Sequence, residues 1–376
     1  MRILVAIGTR PEIIKLAPVV RALRAQPGTE VRTVATGQHY DSSLVDVLDE
    51  RMVLRMDATW RLEGDEAQRL GSMLTLAMAE VQAWQPSLVL VLGDTYTVPV
   101  FCLAARRHGV PVVHLEAGIR SFNPRSMEEV NRRTAAALAS LHFAPTALAG
   151  RFLADEGVAP ERIYVVGNPV IDVLRETGVT GSAPGERAGV VVTAHRPTNV
   201  DDPERLARLV ELLERLASEL APVTFALHPR TRARLEQAEA LEALRAVTGL
   251  TLLDPLPYRE MLELIARSQV VVTDSGGLQE EASWLGTPVV VLRTSTPRWE
   301  GVQAGTSVLT GLDADRALDA ATSFATPVEQ ARVAASPCPY GDGFTAQRVV
   351  EILGRSAVEP LLRLDEPDLT AGWVPA

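Results

Sequence analysis

The chain has 376 residues, of which 47% are hydrophobic and 22% are charged, and its formal net charge at pH 7 is −10. This length and composition predict a globular protein of roughly two domains, each able to bury a full core. The acidic balance argues against a nucleic-acid or anionic-membrane partner, because no basic field would offset repulsion from phosphates, whereas an anionic small molecule can be neutralised locally.

Short β-branched runs alternate with longer amphipathic segments along the chain. The predicted strands, in chain order, are Arg2–Ile7, Glu30–Ala35, Ser87–Leu92, Val110–Leu115, Ile163–Val166, Gly189–Thr193, Val223–Leu227, Val270–Thr273 and Pro288–Leu292. The helical patterns between them include Pro11–Ala25, Asp65–Ala83, Pro203–Ala217 and Arg259–Arg267. Nearly continuous apolar strands separated by helices are typical of parallel sheets covered on both faces.

Two such series are separated by a break near residues 167–188, where glycines and prolines in a polar context predict a linker. The sequence therefore predicts an α/β fold with two Rossmann-like domains facing each other across a cleft. The predicted domains are residues 1–167 and 168–356, with a last helix that can pack back on the first domain, before a loosely ordered tail at 357–376. No apolar stretch reaches transmembrane length and the N-terminus lacks a signal-peptide layout, so we expect a cytoplasmic protein.

The loop after the first predicted strand leads to Lys15, the one lysine among 37 basic side chains (Lys plus Arg). An ammonium and a guanidinium are not interchangeable where charge geometry matters, so a lysine in an arginine-rich chain indicates a functional position. The alternative is a surface lysine paired with Glu12. Arg10 lies at the strand end and, like Lys15, can project toward a ligand, while Thr9 and Glu12 have the spacing of a capping box.

Three carboxylates lie in loops that follow predicted strands of the first domain. Asp94 follows Gly93 at one strand end, and Glu116 and Glu128 are close together in the chain after the next strand. Carboxylates grouped in a cleft raise one another's proton affinity, which general acid–base catalysis needs. Asp94 is alternatively an N-cap for the following helix, and Glu129 is predicted to serve only the helix dipole.

In the second domain, His195 and Arg196 end a strand just before a loop. A histidine there can be a packed core residue, but its strand-end position and its arginine neighbour favour an anion site. A weaker version of the pattern, His228-Pro229-Arg230, follows the next strand.

A Ser275-Gly276-Gly277 turn joins a strand to a helix start and is the strongest single motif. Bare glycine amides at a helix N-terminus can hold a pyrophosphate, and the serine hydroxyl adds a donor. Glu281, one turn into the helix, is placed to accept hydrogen bonds from ribose hydroxyls. Arg293 lies on the same rim after the next strand. The turn is neither Gly-x-Gly-x-x-Gly nor a P-loop, which disfavours NAD binding and ATP phosphotransfer.

Together these motifs resemble the UDP-N-acetylglucosamine 2-epimerases of the non-hydrolysing bacterial and archaeal type, which have a GT-B-like fold. The Ser-Gly-Gly-Leu-Gln-Glu-Glu stretch is highly specific for this resemblance. The matching segments cover nearly the whole chain in order: Gly8–Glu12, Thr36–Asp41, Gly93–Thr95, His114–Arg120, Glu128–Arg132, Gly167–Asp172, Thr193–Arg196, Asp274–Ala282 and Pro339–Gly343.

The resemblance implies reversible C2 epimerisation of UDP-N-acetylglucosamine to UDP-N-acetylmannosamine. UDP leaves C1, the C2 proton is lost to give a 2-acetamidoglucal, and UDP adds back with a proton delivered to the opposite face. It also implies a homodimer and no metal or redox cofactor. UDP is expected on Ser275, Gly276, Gly277 and Glu281 with help from His195, and the sugar is expected to face Arg10, Lys15, Asp94, Glu116 and Glu128.

The chain departs from the family pattern in three places. Pro197-Thr198-Asn199 stands where many bacterial members have Arg-Glu-Asn, Met127 stands where proline is usual, and Tyr40-Asp41 follows Gln38-His39 as in members outside the regulated branch. The first and third put allosteric activation by a second substrate molecule in doubt.

A hydrolysing epimerase, a GT-B glycosyltransferase and a nucleotide-sugar sensor remain as alternatives, although the last two would not need the carboxylate set.

Overall fold

The computed structural model describes residues 1–37 and 54–365, which form two β-sheets flanked by helices. The first sheet has the strand order β3-β2-β1-β4-β5-β6-β7, with every pair parallel. Its strands are β1 (Arg2–Ile7), β2 (Glu30–Ala35), β3 (Ala58–Thr59), β4 (Leu88–Leu92), β5 (Val112–Leu115), β6 (Leu141–Ala144) and β7 (Ile163–Val165).

The second sheet has the order β10-β9-β8-β11-β12-β13 and is also parallel throughout. In both sheets the chain winds outward from one strand and then returns to that strand's other side. The reversals lie between β1 and β4 and between β8 and β11. The strands are β8 (Val190–Thr193), β9 (Val223–Ala226), β10 (Leu250–Leu253), β11 (Val270–Thr273), β12 (Val289–Val291) and β13 (Ser307–Leu309).

Helices connect the strands and cover both faces of each sheet. In the part of the chain before β8 they are α1 (Arg10–Arg24), α2 (Glu66–Trp84), α3 (Thr97–Arg107), α4 (Met127–Leu138), α5 (Ala147–Asp155) and α6 (Pro169–Thr177). The later helices are α7 (Pro197–Val200), α8 (Pro203–Leu220), α9 (Pro229–Gln237), α10 (Leu241–Arg245), α11 (Tyr258–Ala266), α12 (Gly276–Trp284), α13 (Trp299–Gln303), α14 (Ala314–Phe324), α15 (Pro327–Ala335) and α16 (Thr345–Leu353). None of these described helices is both long and apolar enough to cross a bilayer.

The central strands are apolar on both faces because each face has its own core. Alternate residues of β1 show this directly, since Ile3, Val5 and Ile7 pack into one core while Leu4 and Ala6 pack into another. The same two-sided burial occurs in the second sheet. Burial on both faces explains the unbroken apolar runs in the sequence, and the predicted α/β fold with two parallel sheets is confirmed.

The nine predicted strands are present, with boundaries that differ by two residues at most. Sequence reasoning missed four strands: Ala58–Thr59, Leu141–Ala144, Leu250–Leu253 and Ser307–Leu309. These segments are short and include Ser, Thr or His, so their apolar pattern is weak, and their pairing is decided by a neighbouring strand.

The prediction of a linker over residues 167–188 is partly wrong, because α6 lies inside this segment. Asn168 caps this helix with a 3.0 Å hydrogen bond from the Val170 amide, and Pro169 occupies its first turn. Ile171 and Leu174 are buried in the core beneath the second sheet. The helix also contacts α1, so the connection between the sheets is an ordered packing element, and the boundary at residues 167 and 168 stays a prediction.

The last described segment packs on the first sheet. Helix α16 lies against α1, and its N-terminus is capped by Asp172, which accepts hydrogen bonds from the Thr345 and Ala346 amides at 3.0 and 2.8 Å. Val358 is fully buried in the core of the first sheet. The prediction of a loose tail is therefore wrong for residues 357–365, while residues 366–376 and the Gln38–Asp41 motif lie outside the described residues.

We expect Val358→Ala to lower the free energy of unfolding by about 1–3 kcal/mol, because it removes two methyl groups from a filled core. Urea unfolding followed by circular dichroism measures this change. Val328→Ala is the matched control, since Val328 is 76% exposed. Equal stabilities for the two variants would contradict the packing of this segment.

Candidate functional site

A cavity of about 570 Å³ lies between the two sheets, at the carboxyl ends of their strands. Its walls come from the start of α1 and the segments after β4 and β5 on one side, and from the segments after β8, β10, β11 and β12 on the other. The segments after β1, β4, β8 and β11 flank the reversals of strand order, where open parallel sheets bind ligands. The predicted site residues that line the cavity are Arg10, Lys15, Asp94, Glu128, Arg196, Ser275, Gly276, Gly277, Glu281 and Arg293.

Two predicted site residues, Glu116 and His195, do not line the cavity. Glu116 is buried behind Lys15, whose ammonium donates a 2.6 Å hydrogen bond to its carboxylate. Burial lowers the pKa of Lys15, but the nearby carboxylates Glu116 and Glu280 outweigh it, and the pKa is raised above 10.5. Conversely, burial raises the pKa of Glu116, while Lys15 and Arg298 lower it below 4.5. Lys15 is thus a buried ion-pair partner, and the alternative of a surface lysine bonded to Glu12 is wrong.

The capping box predicted for Thr9 and Glu12 is also wrong. Thr9 is the N-cap residue of α1, but its side chain makes no capping hydrogen bond. The Glu12 carboxylate instead accepts from the Gly8 amide at 2.6 Å and from the Thr9 hydroxyl at 3.2 Å. Burial raises the pKa of Glu12 to about 7. Glu12 therefore shapes the loop that presents Arg10, as the structural interpretation of this residue anticipated.

Asp94 is held by a neighbouring helix. Arg132 donates a hydrogen bond to its carboxylate, and Asn131 donates a 2.8 Å bond to its carbonyl. Burial raises the pKa of Asp94, and Arg132 partly offsets that rise. The N-cap alternative is wrong, because Tyr96 occupies the N-cap position of α3.

His114 fixes the turn before Asp94. Its Nε2 lies 2.8 Å from the carbonyl of Gly93, a residue with the left-handed φ of 77°. Burial lowers the pKa of His114 to about 4, so a neutral ring donates this bond. The histidine therefore positions the backbone that carries Asp94.

Glu128 and the adjacent Glu129 have different surroundings. Glu128 lines the cavity and accepts a hydrogen bond from the Ser126 hydroxyl. Glu129 is buried and accepts from the Ser121 amide at 2.8 Å and from Arg132 at 2.9 Å. The prediction that Glu129 serves only the helix dipole is therefore wrong, because its carboxylate joins the Ser121 loop to α4.

Asp274 organises the loops of the second sheet. Its fully buried carboxylate accepts from the backbone amides of His195 and Arg196 at 3.1 and 2.9 Å and from the Asn199 side chain at 3.0 Å. His195 Nδ1 lies 3.2 Å from Asp274, and its ring lies 5.2 Å from that of His228. Burial raises the pKa of Asp274, but the hydrogen bonds and His195 outweigh it, and the pKa is lowered. His195, a predicted site residue, does not line the cavity, whereas the adjacent Arg196 does.

The Ser-Gly-Gly turn begins α12, as predicted. Ser275 caps the helix by accepting from the Leu278 amide. Among the described residues, no atom lies within 4 Å of where a Cβ on Gly276 or Gly277 would stand. The missing side chains therefore leave open space beside the backbone amides, which suits the close approach of an anion.

Several guanidinium groups surround this turn. Within the described ranges, Arg10 Nε, Arg196 Nε and Arg293 Nη1 are buried without a hydrogen-bond partner. Burial and the neighbouring Arg196 together lower the pKa of Arg293 to about 10. Buried donors without acceptors carry a free-energy cost that an anionic ligand would relieve. The cavity therefore joins a cationic cradle to a group of carboxylates.

Sequence reasoning missed five side chains that hold the site together: Arg132, Asn168, Asp274, Glu280 and Arg298. Four of them lie within segments quoted for the family resemblance, so position along the chain was available as a signal, whereas Arg298 lies outside those segments. Their contacts cross between loops that are far apart in sequence, which spacing alone does not reveal. In residues 1–37 and 54–365, no cluster of three or more His, Cys, Asp or Glu side chains is arranged to hold a metal ion.

We expect Asp274→Asn to lower the free energy of unfolding by about 2–4 kcal/mol at pH 7, because an amide cannot accept all of these hydrogen bonds. The pKa of Asp274 is depressed, so its contribution is full above its ordinary value of 3.8 and is lost as pH falls below it. Urea unfolding at several pH values measures this.

The stability gap between wild type and Asp274→Asn should therefore narrow in acid, and a constant gap would contradict the assignment. Asp202→Asn is the control, because Asp202 is an exposed N-cap of α8 and asparagine caps equally well.

Comparison with known proteins gives a consistent result. The family model described as UDP-N-acetylglucosamine 2-epimerase matches residues 21–354. The UDP-N-acetylglucosamine 2-epimerase of Methanocaldococcus jannaschii is 33% identical, covering 94% of this chain and 99% of that protein. The UDP-2,3-diacetamido-2,3-dideoxy-D-glucuronate 2-epimerase of Pseudomonas aeruginosa is 34% identical, covering 94% of this chain and all of its own.

A solved structure shows the same architecture. The UDP-GlcNAc 2-epimerase from Neisseria meningitidis, bound to UDP-GlcNAc, is 30% identical and superposes with a TM-score of 0.83, covering 94% of this chain and 99% of that one. The similarity extends over 94% of this chain. The chain belongs to the UDP-N-acetylglucosamine 2-epimerase family.

Proposed function

We propose that this protein interconverts UDP-N-acetylglucosamine and UDP-N-acetylmannosamine by inverting the configuration at C2. The observation that carries the proposal is the composition of one cavity, in which a cationic cradle faces a group of carboxylates. Family membership supports the same reaction. The Pseudomonas aeruginosa relative is named for a different UDP-sugar, so the identity of the sugar has to be determined by experiment.

The second-sheet wall is suited to hold UDP. The N-terminus of α12 presents the amides of Gly276 and Gly277, and the half-buried side chains of Arg196 and Arg293 line the same cavity. Fixed donors and cations of this kind stabilise the negative charge that develops on UDP as it departs. Glu281, in the same wall, is placed to accept from the ribose hydroxyls.

The first-sheet wall is suited to the sugar. Breaking the C1–O bond leaves an oxocarbenium-like centre, and loss of the C2 proton converts it to a 2-acetamidoglucal. Carboxylates stabilise such a centre and transfer protons. Asp94 is paired with Arg132, Glu116 with Lys15, and Glu128 lines the cavity. Return of UDP to C1, with proton delivery to the opposite face of C2, completes the reaction.

NMR of UDP-N-acetylglucosamine with the protein in deuterated water tests the proposal. We expect UDP-N-acetylmannosamine labelled with deuterium at C2, followed by the same label in UDP-N-acetylglucosamine. Asp94→Asn and Glu116→Gln serve as catalytic controls. The diacetamido-glucuronate substrate of the Pseudomonas aeruginosa relative is run in parallel to compare turnover.

Each alternative gives a different spectrum. UDP with free N-acetylmannosamine would indicate a hydrolysing epimerase. Binding without exchange would indicate a sensor, and turnover that requires an added acceptor would indicate a glycosyltransferase. Any of these results would overturn the proposed reaction.

We also expect a cytoplasmic homodimer. Helices α2, α3 and α4 pack side by side and leave Leu76, Leu103 and Val130 exposed, which is an apolar surface suited to a second copy. Light scattering coupled to size-exclusion chromatography measures the mass, and a monomer at micromolar concentration would contradict this expectation.

We expect Gly277→Ala to raise the Kd for UDP at least about tenfold, because the new methyl group occupies the space proposed for the diphosphate. The fold should persist, since no described atom opposes that methyl group and alanine favours a helix. Isothermal titration calorimetry measures the affinity. Gly71→Ala, an open glycine position in α2, is the control, and equal affinities would contradict the cradle.

The affinity for UDP-N-acetylglucosamine should fall as pH decreases from 8 to 6. Burial raises the pKa of Glu281 to about 7, with Tyr258 and Lys15 lowering it and Glu280 raising it. Because ribose hydroxyls prefer the ionised carboxylate as acceptor, linkage predicts about a tenfold rise in KM over that interval. Steady-state kinetics measure how KM changes with pH. Glu281→Gln should make KM nearly independent of pH over this interval. An unchanged pH dependence in that variant would exclude Glu281 as the titrating group.

A further inference from the structure

The Ser275–Glu281 motif contains a second glutamate whose setting differs from that of Glu281. Glu280 is fully buried, whereas Glu281 lines the cavity. Both residues lie on α12, and successive side chains of a helix point in different directions. Glu280 is therefore directed into the packed region between the two sheets, away from the ribose-binding position proposed for its neighbour.

Glu280 contacts groups from three separate segments. One carboxylate oxygen, Oε1, lies 2.5 Å from Arg298 Nε and accepts a 2.7 Å hydrogen bond from the Asn168 side chain. The other oxygen, Oε2, lies 3.7 Å from the ammonium of Lys15. Within the described ranges, Oε2 has no hydrogen-bond partner. A buried carboxylate oxygen in that state is costly unless a nearby donor serves it.

The ammonium of Lys15 faces this oxygen at 3.7 Å, which is an ion pair and not a hydrogen bond. The ammonium carries three N–H groups, and the hydrogen bond to Glu116 at 2.6 Å uses one of them. The side chain is only 13% exposed, so water offers the remaining donors little. Glu116, Lys15, Glu280 and Arg298 thus form a buried row of alternating charge that crosses from the first sheet's loops to the second's.

We propose that Glu280 is a positioning residue that shares the Lys15 ammonium with Glu116 and keeps Lys15 in the site during turnover. This inference rests on the proposed epimerase function. When Glu116 takes up a proton, its attraction for Lys15 falls, and Glu280 then retains the ammonium beside the departing diphosphate. Because Glu280 comes from the second-sheet side, it places Lys15 only when the two sheets are docked.

Lysine suits this position better than arginine. A compact ammonium can shift between two carboxylates with its bonds reoriented, whereas a planar guanidinium fixes one fork geometry. This explains a single lysine in a chain that otherwise uses arginine.

Other ionisable groups near Glu280 bear on any measured pH dependence. Arg298 and Lys15 favour its ionised form, and Glu116 opposes it. The further ionisable groups that interact with Glu280 are Tyr258, Glu281, Cys338 and Tyr340.

The test begins with Glu280→Gln, which keeps the shape and removes the charge. We expect kcat to fall about tenfold or more, which corresponds to an increase of at least about 1.4 kcal/mol in the activation free energy. KM for UDP-N-acetylglucosamine should change less than about threefold, since uniform binding is retained. Glu280→Asp, which restores the charge, should recover part of kcat even if it loses as much thermal stability as the glutamine variant.

A double-mutant cycle on kcat separates positioning from a structural role. In a Lys15→Gln background, Glu280 and Glu116 have lost the ammonium that they share, so adding Glu280→Gln should lower kcat no further or restore part of it. Lys15→Arg is a second background if Lys15→Gln is too slow, and that single change should itself lower turnover. Additive losses in the cycle would overturn the proposal.

Asp172→Asn is the matched control for removal of a buried carboxylate. Asp172 caps α16 outside the cavity, so Asp172→Asn should lower the free energy of unfolding. Its effect on kcat should add to that of each Lys15 variant. Wild-type kcat in Glu280→Gln would also overturn the inference while leaving the proposed function intact. Absence of epimerisation by the wild type would instead reject the proposed function.

Discussion

Ion pairing of buried charges across the cleft is the constraint on which the rest of this structure depends. Glu116 and Glu280 are both buried, and neither is tolerable there without a cation. Lys15 serves both carboxylates, and Arg298 completes the charge balance from the second-sheet side. Docking of the two sheets and assembly of the site are therefore one event, because each side supplies charges that the other side neutralises.

The parallel sheets make this arrangement possible. All strands of a parallel sheet deliver their following loops to the same edge, and the reversals of strand order open a crevice there. Asp94 and Arg10 flank one reversal, while Arg196 and Ser275 flank the other. Residues that are far apart in the chain are thereby brought to a common cavity without any long loop.

The two walls of the cavity are organised by different means. On the second-sheet side, one carboxylate, Asp274, binds backbone amides and so fixes the loop from which Arg196 projects. On the first-sheet side, side chains such as Arg132 bind the predicted catalytic carboxylates directly. A backbone scaffold suits the binding of a diphosphate, whose charge is constant, whereas adjustable side-chain pairs suit groups that change protonation during reaction.

The sequence by itself determined the parallel α/β architecture, because strands buried on both faces must be apolar throughout. The regular alternation of these apolar runs with amphipathic helical segments can be read from the sequence. The sequence also determined most of the cavity lining, because the segments that follow parallel strands all lie at the same edge of the sheet. Only the tertiary structure decided that Lys15 pairs with Glu116 and Glu280 rather than Glu12, that α6 occupies the predicted linker, and that Val358 is buried. Those outcomes depend on desolvation and packing between segments that are distant in the chain, and no local pattern of residues records them.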